Sequence, residues 1–334
     1  MKPKKRRRAV LLFLIAPIAG AFACGSRTGL FGEDTDFITL PDGGRIPNPR
    51  RDAGFDVAQF DAPPPLDATP RDASRIDCPD AEATLVYLIS RDYQLLSFNP
   101  DDGTITNIGN IVCPAAAEAT PFSMAVDRKG VAYILFSNPI SGGSGPDDGK
   151  LFRVSTATAA CVATPFQPNQ QGFVRFGMGF ATDLAGPSES LYVAGAQQGG
   201  VGAEGLARID VSTFALTKVG NFIPPIVHNA ELTGTGDGRL YALYTKNSNN
   251  APPTFIGEID PVSGQVVGEQ AFPGVTLGMG WAFAFWGGDF YMFTGAGGGS
   301  DVTRYRPSDN STAVIATLPT VIVGAGVSTC APAQ

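Results

Sequence analysis

Five apolar segments, each with a tyrosine at its second position, recur along this chain. They are VYLIS (86–90), AYILF (132–136), LYVAG (191–195), LYALY (240–244) and FYMFT (290–294). Consecutive tyrosines of the set are 46, 59, 49 and 50 residues apart. A strand-like segment that returns at a nearly fixed interval indicates a repeat architecture, in which each repeat is one supersecondary unit.

The segments around these tyrosines extend the repeat to four strands. The first strands of four complete units are FSMAVD (122–127), FGMGFAT (176–182), NAELTGT (229–235) and GWAFAFW (280–286). The tyrosine segments are second strands, and two more short apolar runs follow each of them. The composition, with 41 Gly, 27 Pro and 16% charged residues, favours an all-β chain. Repeated units of four antiparallel strands predict a β-propeller.

The two ends of the repeat predict how the ring closes. Strands at 85–90, 94–100 and 104–111 match second to fourth strands, and no first strand precedes them. VGAGVSTC (323–330) matches a first strand, and nothing follows it. We therefore expect strand 323–330 to pair with strand 85–90, which removes an open edge and completes a fifth blade. Six blades remain an alternative, because the 59-residue interval is long enough to hide two merged units.

One hairpin carries a family resemblance. MAVDRKGVAYIL (124–135) resembles the strand–turn–strand signature of NHL-type and lactonase-like propellers. The resemblance implies the propeller fold and no particular activity. In that fold a second-strand tyrosine lies on a face packed against the next blade, so we expect the five tyrosines to be core residues.

The N-terminus predicts export. Six Lys and Arg residues precede an apolar run from Ala9 to Ile15, and Ala21-Phe22-Ala23 fits a small-x-small cleavage site. Cys24 follows directly, which resembles the lipobox of bacterial lipoproteins and implies lipidation of that thiol. Ordinary cleavage with a free Cys24, and a twin-arginine signal at Arg7-Arg8, are the alternatives. We predict a signal peptide over 1–23.

Residues 24–77 are predicted to be the lipidated cysteine followed by a disordered tether rich in Asp, Ala and Pro, ahead of a propeller over 78–334. Such a composition buries too little apolar surface to offset the entropy of ordering. We interpret this tether as a plain spacer, and loose calcium binding by its aspartates is the alternative. Cleavage leaves 18 Lys and Arg against 31 Asp and Glu, a net charge of −13, so we expect no nucleic-acid partner.

Four further cysteines allow two disulfides in an oxidising compartment. Cys330 ends the closing strand and Cys78 lies just before the strand that pairs with it, so a Cys78–Cys330 bond would hold the ring shut. Cys113 ends one outer strand and Cys161 begins the next, which predicts a second bond at the rim. No metal site is expected, because C-x-x-C spacing is missing and the chain has one histidine.

Ligands of propellers usually lie where the inner strands converge. The residues that begin these strands include four with binding chemistry: Arg175, His228, Asn229 and Trp281. A guanidinium and an aromatic ring could hold a small acidic or carbohydrate-like ligand. The alternative is that Arg175 and His228 are ordinary loop residues.

Enzyme signatures are sparse. His228 is the only histidine and no G-x-S-x-G motif occurs. Five-bladed glycosidases resemble this architecture and use central carboxylates, of which the first strands carry no regular set. Calcium-dependent lactonase propellers need an acidic cluster that Glu231 and Asn229 match only partly. We expect no cofactor, with structural calcium at turns such as NPDDG (99–103) as the alternative.

The leading hypothesis is an exported, membrane-anchored lipoprotein whose propeller binds or scaffolds without catalysis at the bacterial cell envelope. A hydrolase or lactonase that acts at the central channel is the alternative. We expect the outer membrane, facing the periplasm or the surface, with secretion as the alternative. The expected partners are the membrane, through the anchor, and an unknown protein or a small carbohydrate-like ligand. We expect a monomer.

Overall fold

The described part of the chain is all-β. The computed structural model describes residues 37–39, 45–47, 78, 85–137, 149–184, 188–195, 205–226, 228–247, 250–295 and 297–333. The chain divides into two compact units, Met1–Phe60 and Asp61–Gln334. Among the described residues no helix has the length and apolar character that a membrane span requires.

The first unit contains one described element, an antiparallel pair of β1 (Phe37–Thr39) and β2 (Arg45–Pro47). This pair falls within the segment predicted to be a disordered tether. The predicted signal peptide 1–23, Cys24 and the rest of the tether up to 77 lie outside the described residues.

The second unit is a five-bladed β-propeller in which each blade is a four-stranded antiparallel sheet. Blade 1 contains β22 (Ile322–Val327), β3 (Val86–Ser90), β4 (Gln94–Phe98) and β5 (Ile105–Asn110). Blade 2 contains β6 (Thr120–Val126), β7 (Val131–Ser137), β8 (Lys150–Ser155) and β9 (Cys161–Ala163). Blade 3 contains β10 (Phe176–Thr182), β11 (Glu189–Gly195), β12 (Gly205–Ile209) and β13 (Leu216–Gly220).

The last two blades follow the same order. Blade 4 contains β14 (Glu231–Gly234), β15 (Leu240–Thr245), β16 (Thr254–Ile259) and β17 (Val266–Phe272). Blade 5 contains β18 (Trp281–Trp286), β19 (Asp289–Thr294), β20 (Ser300–Arg306) and β21 (Ser311–Leu318). The described sheets of this unit therefore number five, and the six-blade alternative is excluded. The interval between β7 and β8 and the interval between β9 and β10 are both long, and the second contains a short 3-10 turn (Gln170–Gly172). Together they account for the 59 residues between Tyr133 and Tyr192.

The predicted closure is confirmed. Strand β22, the last of the chain, pairs antiparallel with β3, and Val327 lies opposite Val86. The ring is thus closed by hydrogen bonds between its two ends, and β3 gains a strand partner on its inner side. The blade that joins the ends is built from both of them.

Apolar side chains fill the spaces between blades. All five repeat tyrosines are buried, with exposed fractions of 7% or less. The Tyr133 ring lies 5.4 Å from that of Phe180 in the next blade, and the Tyr291 ring lies 5.6 Å from that of Phe98. The prediction that these tyrosines form the core between blades is confirmed.

Two disulfides hold the propeller. Cys78 bonds Cys330 across 252 positions, and Cys113 bonds Cys161 across 48. These are the pairs that the strand alignment selects. The first joins the two ends of the closed ring, and the second joins outer parts of blades 1 and 2. Disulfides persist in oxidising compartments, so they indicate an extracytoplasmic location.

Candidate functional site

The inner strands of the five blades surround the propeller axis. They are β22, β6, β10, β14 and β18. A Cβ placed on Gly177 would lie 1.9 Å from the Ala230 oxygen, and one on Gly234 would lie 2.2 Å from the Phe180 oxygen. Residue numbers therefore increase in the same direction along β10 and β14, so these two neighbouring strands are parallel. We call the end where inner strands begin the entrance end, and the other the exit end.

The axis is closed by backbone contact. Gly177 and Gly234 have no side chain, and this absence lets β10 and β14 approach until the carbonyl of one strand touches the Cα of the other. The space that remains among β6, β10, β14 and β22 is too small for a water molecule. The predicted central channel is therefore a packed interior along these strands.

One carboxyl group is buried inside this interior. Glu231 of β14 is 4% exposed, and its Oε2 accepts a hydrogen bond of 2.7 Å from the Ser123 hydroxyl of β6. The Met178 backbone N–H of β10 donates to the Ser123 oxygen at 3.0 Å. Burial raises the pKa of Glu231 well above its ordinary value, and the hydrogen bonds from Ser123 and Met178 oppose that rise only partly. This buried carboxyl therefore links three blades at the axis.

A polar clasp lies at the exit end. We use this name for Arg128, Thr182, Glu189 and Thr329. The Arg128 guanidinium donates to the Thr182 hydroxyl at 2.7 Å and to the Thr329 hydroxyl at 3.0 Å. Thr329 in turn donates to Glu189 at 2.7 Å. Burial raises the pKa of Glu189, and its hydrogen bonds and Arg128 oppose that rise. The clasp joins blades 1, 2 and 3 beside Cys330.

The C-terminal segment covers the exit end. The Gly287 N–H donates to the Pro332 oxygen at 2.8 Å, which fixes this segment to the hairpin of blade 5. A recess of about 10 Å³ is all that remains between it and the ends of β14 and β18. The C-terminal segment therefore fills the exit end beside β14 and β18.

The four residues selected from the sequence lie at the entrance end. Arg175 precedes β10, and its guanidinium carbon lies 6.0 Å from the centre of the Phe122 ring of blade 2. His228 and Asn229 precede β14 and are partly exposed. Trp281 begins β18, where it is partly buried against the apolar cluster between blades 4 and 5. They stand on three neighbouring blades, around an axis that is closed beneath them.

Two aspartates in hairpin turns accept hydrogen bonds from the backbone. Asp127 Oδ1 accepts from the N–H groups of Lys129 and Val131, both at 2.9 Å, which fixes the hairpin between β6 and β7. The side chain of Asp102 accepts from the Thr104 N–H at 2.8 Å in the turn predicted as a calcium alternative. Among the described residues no group of three His, Cys, Asp or Glu side chains could hold a metal ion. Calcium at the turns stays a prediction.

The structure shows a cleft that the sequence did not reveal. A cleft of about 620 Å³ lies between blades 4 and 5, a size typical of small-molecule sites. We call it the blade 4–5 cleft. The end of β17 and the segment that follows, 270–276, form one wall, and parts of β19, β20 and β21 form the other. Its polar side chains are mostly uncharged: Gln270, Thr276, Thr294, Asp301, Thr303, Asn310 and Thr312. Strand alignment could not have found it, because its walls come from different blades.

No protein-family model matches the chain, and no curated protein sequence matches it. Solved structures are similar at low identity. TolB from Acinetobacter baumannii is 10% identical over 72% of this chain and 66% of that chain, with a TM-score of 0.37. The GH43_1 enzyme from Xanthomonas citri complexed with xylotriose is 14% identical over 67% and 82%, with a TM-score of 0.43. A chain of a nidogen/laminin complex is 11% identical over 73% and 97%, with a TM-score of 0.42. Such similarities carry no argument about activity, and the fold rests on the strand pairing itself.

Proposed function

We propose that this chain is an exported lipoprotein, anchored in a membrane through Cys24, whose propeller is a non-catalytic binding module at the bacterial cell envelope. The closed axis is the observation that supports a binding role. A hydrolase or lactonase in the central channel needs space for its substrate beside an acid or base, and Glu231 is only 4% exposed and hydrogen-bonded to Ser123 of another blade. Binding then falls to the outer surfaces.

The export part rests on the N-terminal sequence and the two disulfides. A run of six basic residues before an apolar segment and a small-x-small site fits a signal peptide. The Cys113–Cys161 and Cys78–Cys330 bonds fit the oxidising compartment that such a signal leads to. Lipidation of Cys24 would add several acyl chains, and several acyl chains hold a protein on a membrane better than a single acyl chain does.

The blade 4–5 cleft fits a small, neutral, hydroxyl-rich ligand of the carbohydrate type. Threonine hydroxyls and the Gln270 and Asn310 amides donate and accept hydrogen bonds. Phe272 and Val275, which are largely buried, contribute apolar atoms to the lining. One carboxylate, Asp301, already accepts from the Thr317 hydroxyl at 2.9 Å. A ligand with many hydroxyl groups matches this lining better than a charged one.

The anchor is tested by mass. The intact mature chain, expressed in a Gram-negative host and labelled metabolically with an alkyne fatty acid, should carry the label and the corresponding added mass. The Cys24→Ser chain should carry neither and should leave the membrane fraction. An unlabelled wild-type chain with a free N-terminus at residue 24 would refute the lipoprotein.

The ligand site is tested by titration calorimetry with neutral oligosaccharides of two to four units. Thr312→Val and Asn310→Ala, which change the blade 4–5 cleft, should weaken binding about tenfold, or about 1.4 kcal/mol. Arg175→Ala and His228→Ala at the entrance end are the matched controls and should change it little. If the two entrance-end variants weakened binding and the two cleft variants did not, the ligand site would lie at the entrance end. No binding of any saccharide would refute the carbohydrate-type ligand and leave the anchor untouched.

A further inference from the structure

Strand β21 presents an open and largely exposed edge. It is eight residues long, and within its sheet it pairs with β20 alone. Residues 311–315 are exposed on both faces of the strand, with Val314 at 60% and Ile315 at 38%. The backbone groups along its outer side therefore lack a strand partner among the described residues. An open edge of this length can add another strand.

Three of the four other outer strands, all except β5, have features that protect an edge. Strand β9 has three residues, the first of them Cys161 of the rim disulfide. Strand β13 carries Lys218, and β17 carries Glu269 at its centre. Short strands and charged edge residues are the usual means by which proteins prevent strand addition. Strand β21 contains no charge, no proline and no glycine, and its one irregularity is a bulge at Ile315, whose neighbours Val314 and Ala316 lie opposite the consecutive residues Thr303 and Val302.

The sequence of β21 is nearly self-complementary. Residues 312–317 read Thr-Ala-Val-Ile-Ala-Thr, which is almost the same in both directions. An antiparallel pairing of two copies, centred between Val314 and Ile315, would place Thr312 opposite Thr317 and Val314 opposite Ile315 of the second copy. Cross-strand pairs of threonines and of β-branched residues are favourable. A two-fold pairing of β17 would instead place Glu269 opposite itself.

We propose that β21 is a self-association edge, through which two copies of this chain pair antiparallel about a two-fold axis. Such an interface uses the same surface on both copies. Six residue pairs bury less surface than a standard stable interface, so the dimer is weak and depends on concentration. This departs from the monomer expected from the sequence. It does not depend on the proposed anchor, and it shares Thr312 and Val314 with the lining of the blade 4–5 cleft.

Sedimentation velocity over a wide concentration range tests the proposal. The mature full-length chain should carry Cys24→Ser, so that acyl chains cannot drive association. This chain should shift from monomer to dimer as concentration rises. Val314→Lys, which introduces a like charge on each copy at the centre, should weaken dimerisation at least tenfold. Val267→Lys on the exposed surface of β17 is the matched control and should leave it unchanged.

A mixing experiment tests the register. Val314→Lys and Ile315→Glu chains should each be monomeric. An equimolar mixture should recover a dimer, because the lysine introduced in one copy would lie opposite the glutamate introduced in the other. Thermal unfolding should show that both variants remain folded. A wild-type chain that is monomeric at every concentration, a Val314→Lys chain that still dimerises, or a mixture that recovers nothing would overturn the proposal.

Discussion

The inner and outer strands of each blade differ in burial, and therefore in the substitutions that they tolerate. The four residues of β14 are all buried, while the first five residues of β21 are all exposed. Inner strands contact neighbours on both sides through their backbones, and glycines such as Gly177 make that contact achievable. Outer strands contact one blade neighbour and solvent. The inner strands therefore fix the shape of the ring, and the outer strands are where surfaces for partners can vary.

The two disulfides offer the largest test of this contrast. Loss of Cys78–Cys330, which closes a loop of 252 positions at the inner ring, should lower the free energy of unfolding by about 5.5 kcal/mol. Loss of Cys113–Cys161, which spans 48 positions at the rim, should cost about 1.5 kcal/mol less. Denaturant unfolding of the Cys78→Ser/Cys330→Ser and Cys113→Ser/Cys161→Ser pairs measures both. Equal losses would contradict the larger contribution expected from the longer loop.

A single methyl group at the axis should have the next largest effect. Gly177→Ala places a Cβ 1.9 Å from the Ala230 oxygen, so β10 and β14 must separate, at a cost of about 3 kcal/mol. Gly274→Ala is the control, because nothing lies within 4 Å of its Cβ position. Thermal unfolding should show a large loss for the first and almost none for the second. A stable Gly177→Ala chain would mean that the axis is not tightly closed.

The same substitution on an inner and an outer strand compares the two regions directly. Val126 of β6 is fully buried, and Val126→Thr adds a hydroxyl that burial penalises by about 1 to 3 kcal/mol. Val162 of β9 is 55% exposed, so Val162→Thr should change the free energy of unfolding by less than about 0.5 kcal/mol. Urea denaturation separates the two. Similar losses at both positions would contradict the contrast.

The buried carboxyl predicts a pH dependence. Because the pKa of Glu231 is raised in the folded chain, the folded state keeps a proton that the unfolded state releases as the pH rises above the ordinary value of 4.5. Stability should fall with pH from there until the folded pKa is passed, by at most about 1.4 kcal/mol per pH unit. Glu231→Gln should remove this part of the slope.

Comparison of Glu231→Gln with the wild type isolates Glu231. Burial also raises the pKa of Glu189 and Asp127, and these groups add slope of the same sign to both chains. Parallel pH profiles for the variant and the wild type, measured by denaturant unfolding between about pH 4 and 8, would contradict the raised pKa of Glu231.

Much of the fold followed from the sequence because propeller blades repeat locally. The tyrosine segments and the short apolar runs before and after them predicted each strand to within a few residues. The orphan strand at 323–330 predicted the closure, and β22 (Ile322–Val327) confirms it with slightly earlier bounds. Such inference works since each strand pairs with the next one along the chain.

The interior of the axis could not be predicted in the same way. Ser123 and Glu231 are 108 positions apart and lie on different blades, so their hydrogen bond has no local sequence signal. The closure of the channel depends on how closely Gly177 approaches Ala230, which repeat spacing does not encode. The blade 4–5 cleft was missed for the same reason. Contacts between blades depend on how the blades pack in the closed ring, and they become visible only in the three-dimensional structure.

The bond between Cys78 and Cys330 also decides how the propeller would bear a mechanical load. A pull along the chain from its N-terminal side reaches Cys78 before any strand of the ring. The disulfide passes part of that load to the end of β22, while the main chain passes the rest toward β3. Because β22 and β3 are hydrogen-bonded to each other, neither can be peeled away singly, and the ring resists being unravelled from the end by which it would be held.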